Sequence, residues 1–216
     1  MPRGRAGPGR PAGDQPRLKM KEHMDVIKMS AKLYAATARI EPGDIVAAFH
    51  RWIVAQSFAG HTWIDVADYN HVKGGPGVVL VGIEANVSFD QADATWGVVY
   101  TRKQPWPGSL DLTGRLRATM HAAAESAAIL TADAAFAGRL DFATDRILIR
   151  LNDRLTAPNT QQTLDQAKSA LTSIGQAIWG TDVTIDHHPA KLSLFEATLR
   201  GTHAITLETL QRQLQV

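Results

Sequence analysis

Three runs rich in β-branched and aromatic residues, Trp63–Tyr69, Val78–Phe89 and Trp96–Arg102, follow one another with almost nothing between them. Such residues suit a pleated, half-buried surface. A parallel crossover needs a dozen or more residues, and these gaps are shorter, so the three runs are expected to form an antiparallel meander. Gly74-Gly75-Pro76-Gly77 supplies one of its turns, because glycine tolerates positive φ and proline holds its own φ near −65°. A sheet of this kind buries one face, and the rest of the chain must provide the cover.

The flanking segments have the periods needed. Ile27–Leu33 alternates apolar and polar residues and reads as a strand with one wet face. Glu41-Pro42-Gly43-Asp44 opens a helix, with an acidic residue at the positive end of the dipole. That helix carries Ile45, Phe49, Trp52, Ile53 and Gln56 on one face and is expected to close at Gly60. After the Gln104–Gly108 loop, a long helix aligns Leu112, Leu116, Met120, Ala123, Ala127 and Leu130. Arg146–Leu151 alternates again. Asn159 and Gln162 have capping-box spacing before a helix carrying Leu164, Ala167, Leu171, Ile174 and Ile178, with Gly180 at its end. Val183–Ile185 and Leu192–Leu199 read as a hairpin, and Leu207, Leu210 and Leu214 mark a short terminal helix. The expected class is α+β, a mostly antiparallel sheet with helices packed on it, in the order β-α-β-β-β-α-β-α-β-β-α. One domain over residues 25–216 is expected. Periodicity is weakest at Ala132–Gly138, so two similar halves, 25–131 and 140–216, packed into one unit, remain the alternative.

With 44% hydrophobic residues the chain has enough apolar material for a core. The formal charge of +2 is unevenly placed. Residues 1–22 hold six cations and two anions, so the remainder carries −2. The body therefore does not bind nucleic acid through overall charge. Residues 1–24, rich in Gly, Pro and Arg, are expected to be a disordered basic tail, with Met20 or Met24 a reasonable alternative start. The tail lacks the apolar stretch of a signal peptide, and no apolar run reaches the roughly 18 residues of a membrane span. There is no cysteine, hence no disulfide and no thiolate metal site. A cytoplasmic location without a membrane partner is expected.

No phosphate-binding P-loop, dinucleotide fingerprint, HExxH or GxSxG is present. Chemistry-capable side chains are densest in residues 49–84: His50, His61, Asp65, Asp68, His71 and Glu84. Alternation along a strand would set Asp65 beside Trp63 and Tyr69, and Asp68 beside Ile64 and Val66. One carboxylate would then be buried in apolar company, and would need a partner. His71, three residues beyond Asp68, is the candidate. Asp68, His71 and His50 are thus the candidate catalytic residues. Together with Glu84 they are the candidate ligands of a divalent metal, the one cofactor considered. Asp65, Glu84 and Trp106 are candidate binding residues, with Trp106 either exposed to a partner or tucked against the sheet. In the competing reading the two aspartates satisfy backbone donors at strand ends and turns. His187-His188 reads as a polar hairpin tip, His121 as water-facing, and Asn152-Asp153-Arg154 as a polar loop.

Phe49-His50-Arg51-Trp52-Ile53, Ile64-Asp65-Val66-Ala67-Asp68-Tyr69-Asn70-His71-Val72 and Gly75-Pro76-Gly77-Val78 resemble a family of uncharacterised bacterial proteins. Glu84 and Tyr100-Thr101-Arg102-Lys103 fit the same pattern. The resemblance covers about residues 27–103 and implies no activity. Two function classes follow: a binding or assembly module acting on itself or another protein, or a small metal- or His/Asp-dependent enzyme.

Overall fold

The computed structural model describes residues 24–180 and 182–215; the basic segment 1–23 lies outside them. The folded body begins one residue earlier than expected, because Met24 and Val26 are already buried in the core. The strands are Met29–Ala38 (β1), Trp63–Asp68 (β2), Val78–Gly82 (β3), Ala85–Asp90 (β4), Gly97–Arg102 (β5), Leu140–Phe142 (β6), Arg146–Leu151 (β7), Thr184–His187 (β8) and Phe195–Arg200 (β9). The helices are Pro42–Ala55 (α1), Leu112–Ala132 (α2), Gln161–Trp179 (α3) and Leu207–Leu214 (α4).

The fold is α+β. The strands form one sheet in the order β2-β3-β4-β5-β1-β7-β9-β8, antiparallel throughout, with β6 paired to the far end of β1. The meander is present as β2 to β5. β1 inserts between β5 and β7, with Ala31 opposite both Tyr100 and Ile149. The sheet is therefore continuous across residues 131–140, and both segments share it.

Several local expectations are corrected. Val78–Phe89 is two strands, because the chain turns at Ile83-Glu84, where the Ile83 amide donates to the Thr62 carbonyl at 3.0 Å. The start of β1 has no wet face: Ser30 and Lys32 are as buried as Met29 and Ala31, since β1 is central. α1 stops before Gln56, which takes the left-handed conformation with φ 46°, rather than at Gly60. The N-cap of α3 is Thr160, whose hydroxyl accepts from the Thr163 amide, because Asn159 is committed elsewhere.

The core takes alternate residues from each strand: Leu33 from β1, Phe89 from β4, Tyr100 from β5, Ile149 from β7 and Ala197 from β9. α2 packs on β1 and β5, and α1 on β2 and β3. Ala122, Ala123, Ala124 and Ala127 are buried along α2. Their small side chains allow close packing against the sheet and α4. The intervening strand residues face the other way and are mostly polar: Ser30, Lys32, Ser88, Thr101, Arg150 and Glu196.

Candidate functional site

β2 is an edge strand, and that decides the fate of the predicted carboxylates. A bulge at Ile64 sets Trp63 opposite Gly82 and Asp65 opposite Val81. Trp63 therefore shares its face with Val66 and Asp68, the reverse of plain alternation. Neither aspartate is buried; both are exposed. Asp65 accepts from the Val66 amide at 2.8 Å. Asp68 accepts from the Asn70 amide and side chain at 2.9 and 2.6 Å. At Asp68 this is Asx-type capping of the strand end, whereas Asp65 lies inside the strand and bonds the next amide. His71 is exposed and lies beside Tyr69, with ring centroids 6.5 Å apart, rather than bonding Asp68. His50 sits on the exposed side of α1.

The metal set His50, Asp68, His71 and Glu84 is not assembled. Glu84 accepts from the Thr62 amide at 2.8 Å, next to the start of β2, whereas Asp68 ends that strand. Five residues of extended chain separate the two positions by about 16 Å. Among the described residues, no three His, Asp or Glu side chains come together to hold a metal ion. The Thr62 amide is also the main reason the Glu84 carboxyl is held below its usual range.

Beyond Asp68 the chain builds a groove instead. The Tyr69 amide donates to the Gly77 carbonyl at 2.8 Å, closing a loop over residues 69–77. Gly77 has φ +65°, and a Cβ there would run into the Phe89 carbonyl, so only glycine fits. The segment Gln91–Trp96 faces this loop across an open cavity of about 530 Å³, lined by Tyr69, Val72, Lys73, Ala92, Ala94 and Trp96. Trp96 is stacked on Phe89 at 5.3 Å. Lys32 fixes this wall from below. Its ammonium donates to Asp90 at 2.8 Å, Asp93 at 2.5 Å and the Thr95 carbonyl at 2.9 Å. Those three bonds use all three of its protons. Gly97 leaves room for the lysine stem, which a Cβ would strike. Beside it, burial and then the Asp93 carboxylate push the Tyr34 hydroxyl up to about 12.

The chain matches no protein-family model, no curated protein and no solved structure.

A second constellation had no spacing signal in the sequence. His61 Nε2 and the Tyr100 hydroxyl are 2.7 Å apart, and His61 stacks on Trp63 at 5.3 Å. Burial holds His61 below its usual range and pushes Tyr100 up to about 12. The pair is a phenol against an imidazole, flanked by Phe58 and by Trp106, which stacks on Tyr100 at 6.2 Å. Trp106 is half-buried, with the Arg102 guanidinium 4.2 Å from its ring centre, so it belongs to the sheet packing and not to an exposed partner contact. His121 is likewise half-buried rather than water-facing, and burial lowers its pKa while raising that of Glu125 one turn on. At the other end of the sheet, His187 bonds Asn159 at 2.7 Å and packs on Phe195 at 4.9 Å. Asn159 also donates to Ser193 at 2.7 Å, which ties the hairpin to the start of α3.

Large exposed apolar residues gather around β2. Val54 at the end of α1, Ile64 on β2, Tyr69 and Val72 in the following loop, and Ile83 beside Thr62 are five of the eight on the described surface. No other element collects them.

Proposed function

We propose that this protein is a binding module without chemistry of its own, which takes an extended, basic segment of another protein along the free edge of β2. The observation that carries this reading is the ring of exposed apolar residues around an unpaired edge strand. An edge offers a row of backbone donors and acceptors, and strand addition uses them, with alternate side chains giving specificity. Ile64, Tyr69 and Ile83 supply apolar contacts on either side of that row. Asp65 and Asp68 stand exposed on the same strand. The two carboxylates make the strand negative, which favours Lys or Arg in the partner over a second copy of β2. The groove between residues 69–77 and 91–96 continues from the end of β2 and would receive the next residues of the segment. Of the stretches that resemble the uncharacterised family, Ile64–Val72 and Gly75–Val78 form this edge and the loop after it, and Phe49–Ile53 lies on α1, which packs against β2. A cytoplasmic site of action suits a chain without cysteine, and among the described residues no helix is long and apolar enough to cross a membrane. The alternative of a His/Asp enzyme loses its support, since His50, Asp68 and His71 make no joint contact.

Selection of displayed random peptides on the purified protein tests the proposal. Enriched sequences should alternate apolar and basic residues, and amide NMR shifts on binding should map to β2 and residues 69–77. Ile64→Lys and Asp68→Asn should each weaken such a peptide about tenfold or more while the thermal melt stays put. Peptides that bind both variants as well as the parent would overturn the edge as the docking strand.

A further inference from the structure

A second cavity, of about 470 Å³, lies at the ends of the central strands β5, β1 and β7, where Lys28, Ile83, Thr101, Lys103 and Asn152 meet. The topology explains their meeting. Lys28 precedes β1, Lys103 follows β5 and Asn152 follows β7, and these three strands are neighbours in register, with Met29 opposite both Arg102 and Leu151. The Asn152 amide closes the corner by donating to the Lys28 carbonyl at 2.9 Å.

We infer that this cavity is a binding site for a small phosphate monoester. Neither Lys28 nor Lys103 has an ion-pair partner among the described residues. Lys103 donates one proton to the Gly82 carbonyl, which fixes the ammonium in place and leaves two donors free. No carboxylate lines the cavity. The nearby Asp153 is turned to the Leu155 and Thr156 amides at 3.0 and 3.1 Å, and Glu84 to the Thr62 amide. A hydroxyl adds a third polar group. Thr101 lines the cavity, and its Oγ1 lies 3.0 Å from Ser30 Oγ, which accepts from Asn152 Nδ2 at 2.7 Å. Ser30 and Thr101 share one hydrogen between them, and Thr101 Oγ1 has no further partner among the described residues. Two ammonium groups and a hydroxyl match a dianion with several acceptor oxygens. Asn152 Oδ1 is buried there without a partner. An unpaired buried acceptor is costly, and a ligand hydroxyl next to the phosphate would satisfy it. That combination selects a hydroxylated phosphate monoester over a bare anion. The volume is within the usual range for small-ligand sites.

The test is a titration of the ¹⁵N-labelled protein with glycerol 3-phosphate, inorganic phosphate and sodium chloride at matched ionic strength. Glycerol 3-phosphate should give saturable shifts at Lys28, Thr101 to Gln104 and Asn152, and should bind more tightly than inorganic phosphate. Lys28→Gln and Lys103→Gln should each weaken it about tenfold with the thermal melt unchanged, whereas Lys73→Gln, in the other groove, should leave it alone. Sodium chloride reproducing the shifts would overturn the site. So would equal affinity in Lys103→Gln, or a short single-stranded oligonucleotide outcompeting the monoester.

Discussion

Trp52 lies between Phe49 and Phe58, at ring-centre distances of 5.2 and 5.5 Å, and is 3% exposed. Trp52→Ala removes the middle of that stack, and the cost expected is about 3–5 kcal/mol by chemical denaturation. A variant as stable as the parent would show that α1 does not depend on this face. The residue was legible in the sequence because helical spacing alone sets it with Ile45 and Phe49. Asp68 was not. Apolar neighbours predict burial of one of Asp65 and Asp68, but burial of a strand residue depends on where the strand lies in the sheet, and β2 lies at the edge. Asp68→Asn therefore changes stability by less than about 1 kcal/mol, since the neutral amide oxygen still accepts from Asn70. A loss of several kcal/mol would mean that the turn depends on charge-assisted bonds that a neutral amide oxygen cannot replace.

Among the elements, β1 has the largest gap between pattern and outcome. Its alternation predicts one wet face, yet Lys32 is 3% exposed and Asp90 6%. The pattern records side-chain chemistry, whereas the burial comes from neighbours on both sides and from the β4–β5 connection folded over the lysine. A buried ion pair contributes little net stability when intact, but removing one partner is expensive. Lys32→Met leaves Asp90 unpaired and should cost about 3–5 kcal/mol, and adding Asp90→Asn should recover part of it. If the double variant is no better than the single one, the lysine acts by packing alone. The same contact fixes one wall of the groove, so Lys32→Met should also broaden the amide signals of residues 91–96. The bulge at Ile64 and the turn at Ile83-Glu84 have no signature in the sequence for a related reason. Both depend on which residue of a neighbouring strand stands opposite, and no local period records that.

For the molecule as a whole, the order of elements followed from composition and period, but the position of β1 between β5 and β7 did not, because strand order is set by long-range packing. That continuous sheet buries titratable groups on both sides of neutrality, and it sets a window of stability. Burial lowers the pKa of His61, His121 and His187 from 6.5. The unfolded chain then binds more protons than the folded one below about pH 6.5, so stability is full above that value and falls as pH drops. Tyr34 and Tyr100 act at the other limit. Each is raised from 10.0 to about 12, so the unfolded chain loses protons first and stability falls between those values as pH rises. For Tyr100, which is fully buried, the rise corresponds to about 2–3 kcal/mol. Unfolding free energy measured in urea should therefore be flat from about pH 7 to 9.5 and decline on both sides. His61→Gln should shallow the acid limb, and Tyr100→Phe the alkaline limb, each leaving the opposite limb unchanged. A single variant that shifted both limbs together would show that His61 and Tyr100 titrate as one coupled pair across their 2.7 Å contact rather than as separate buried groups.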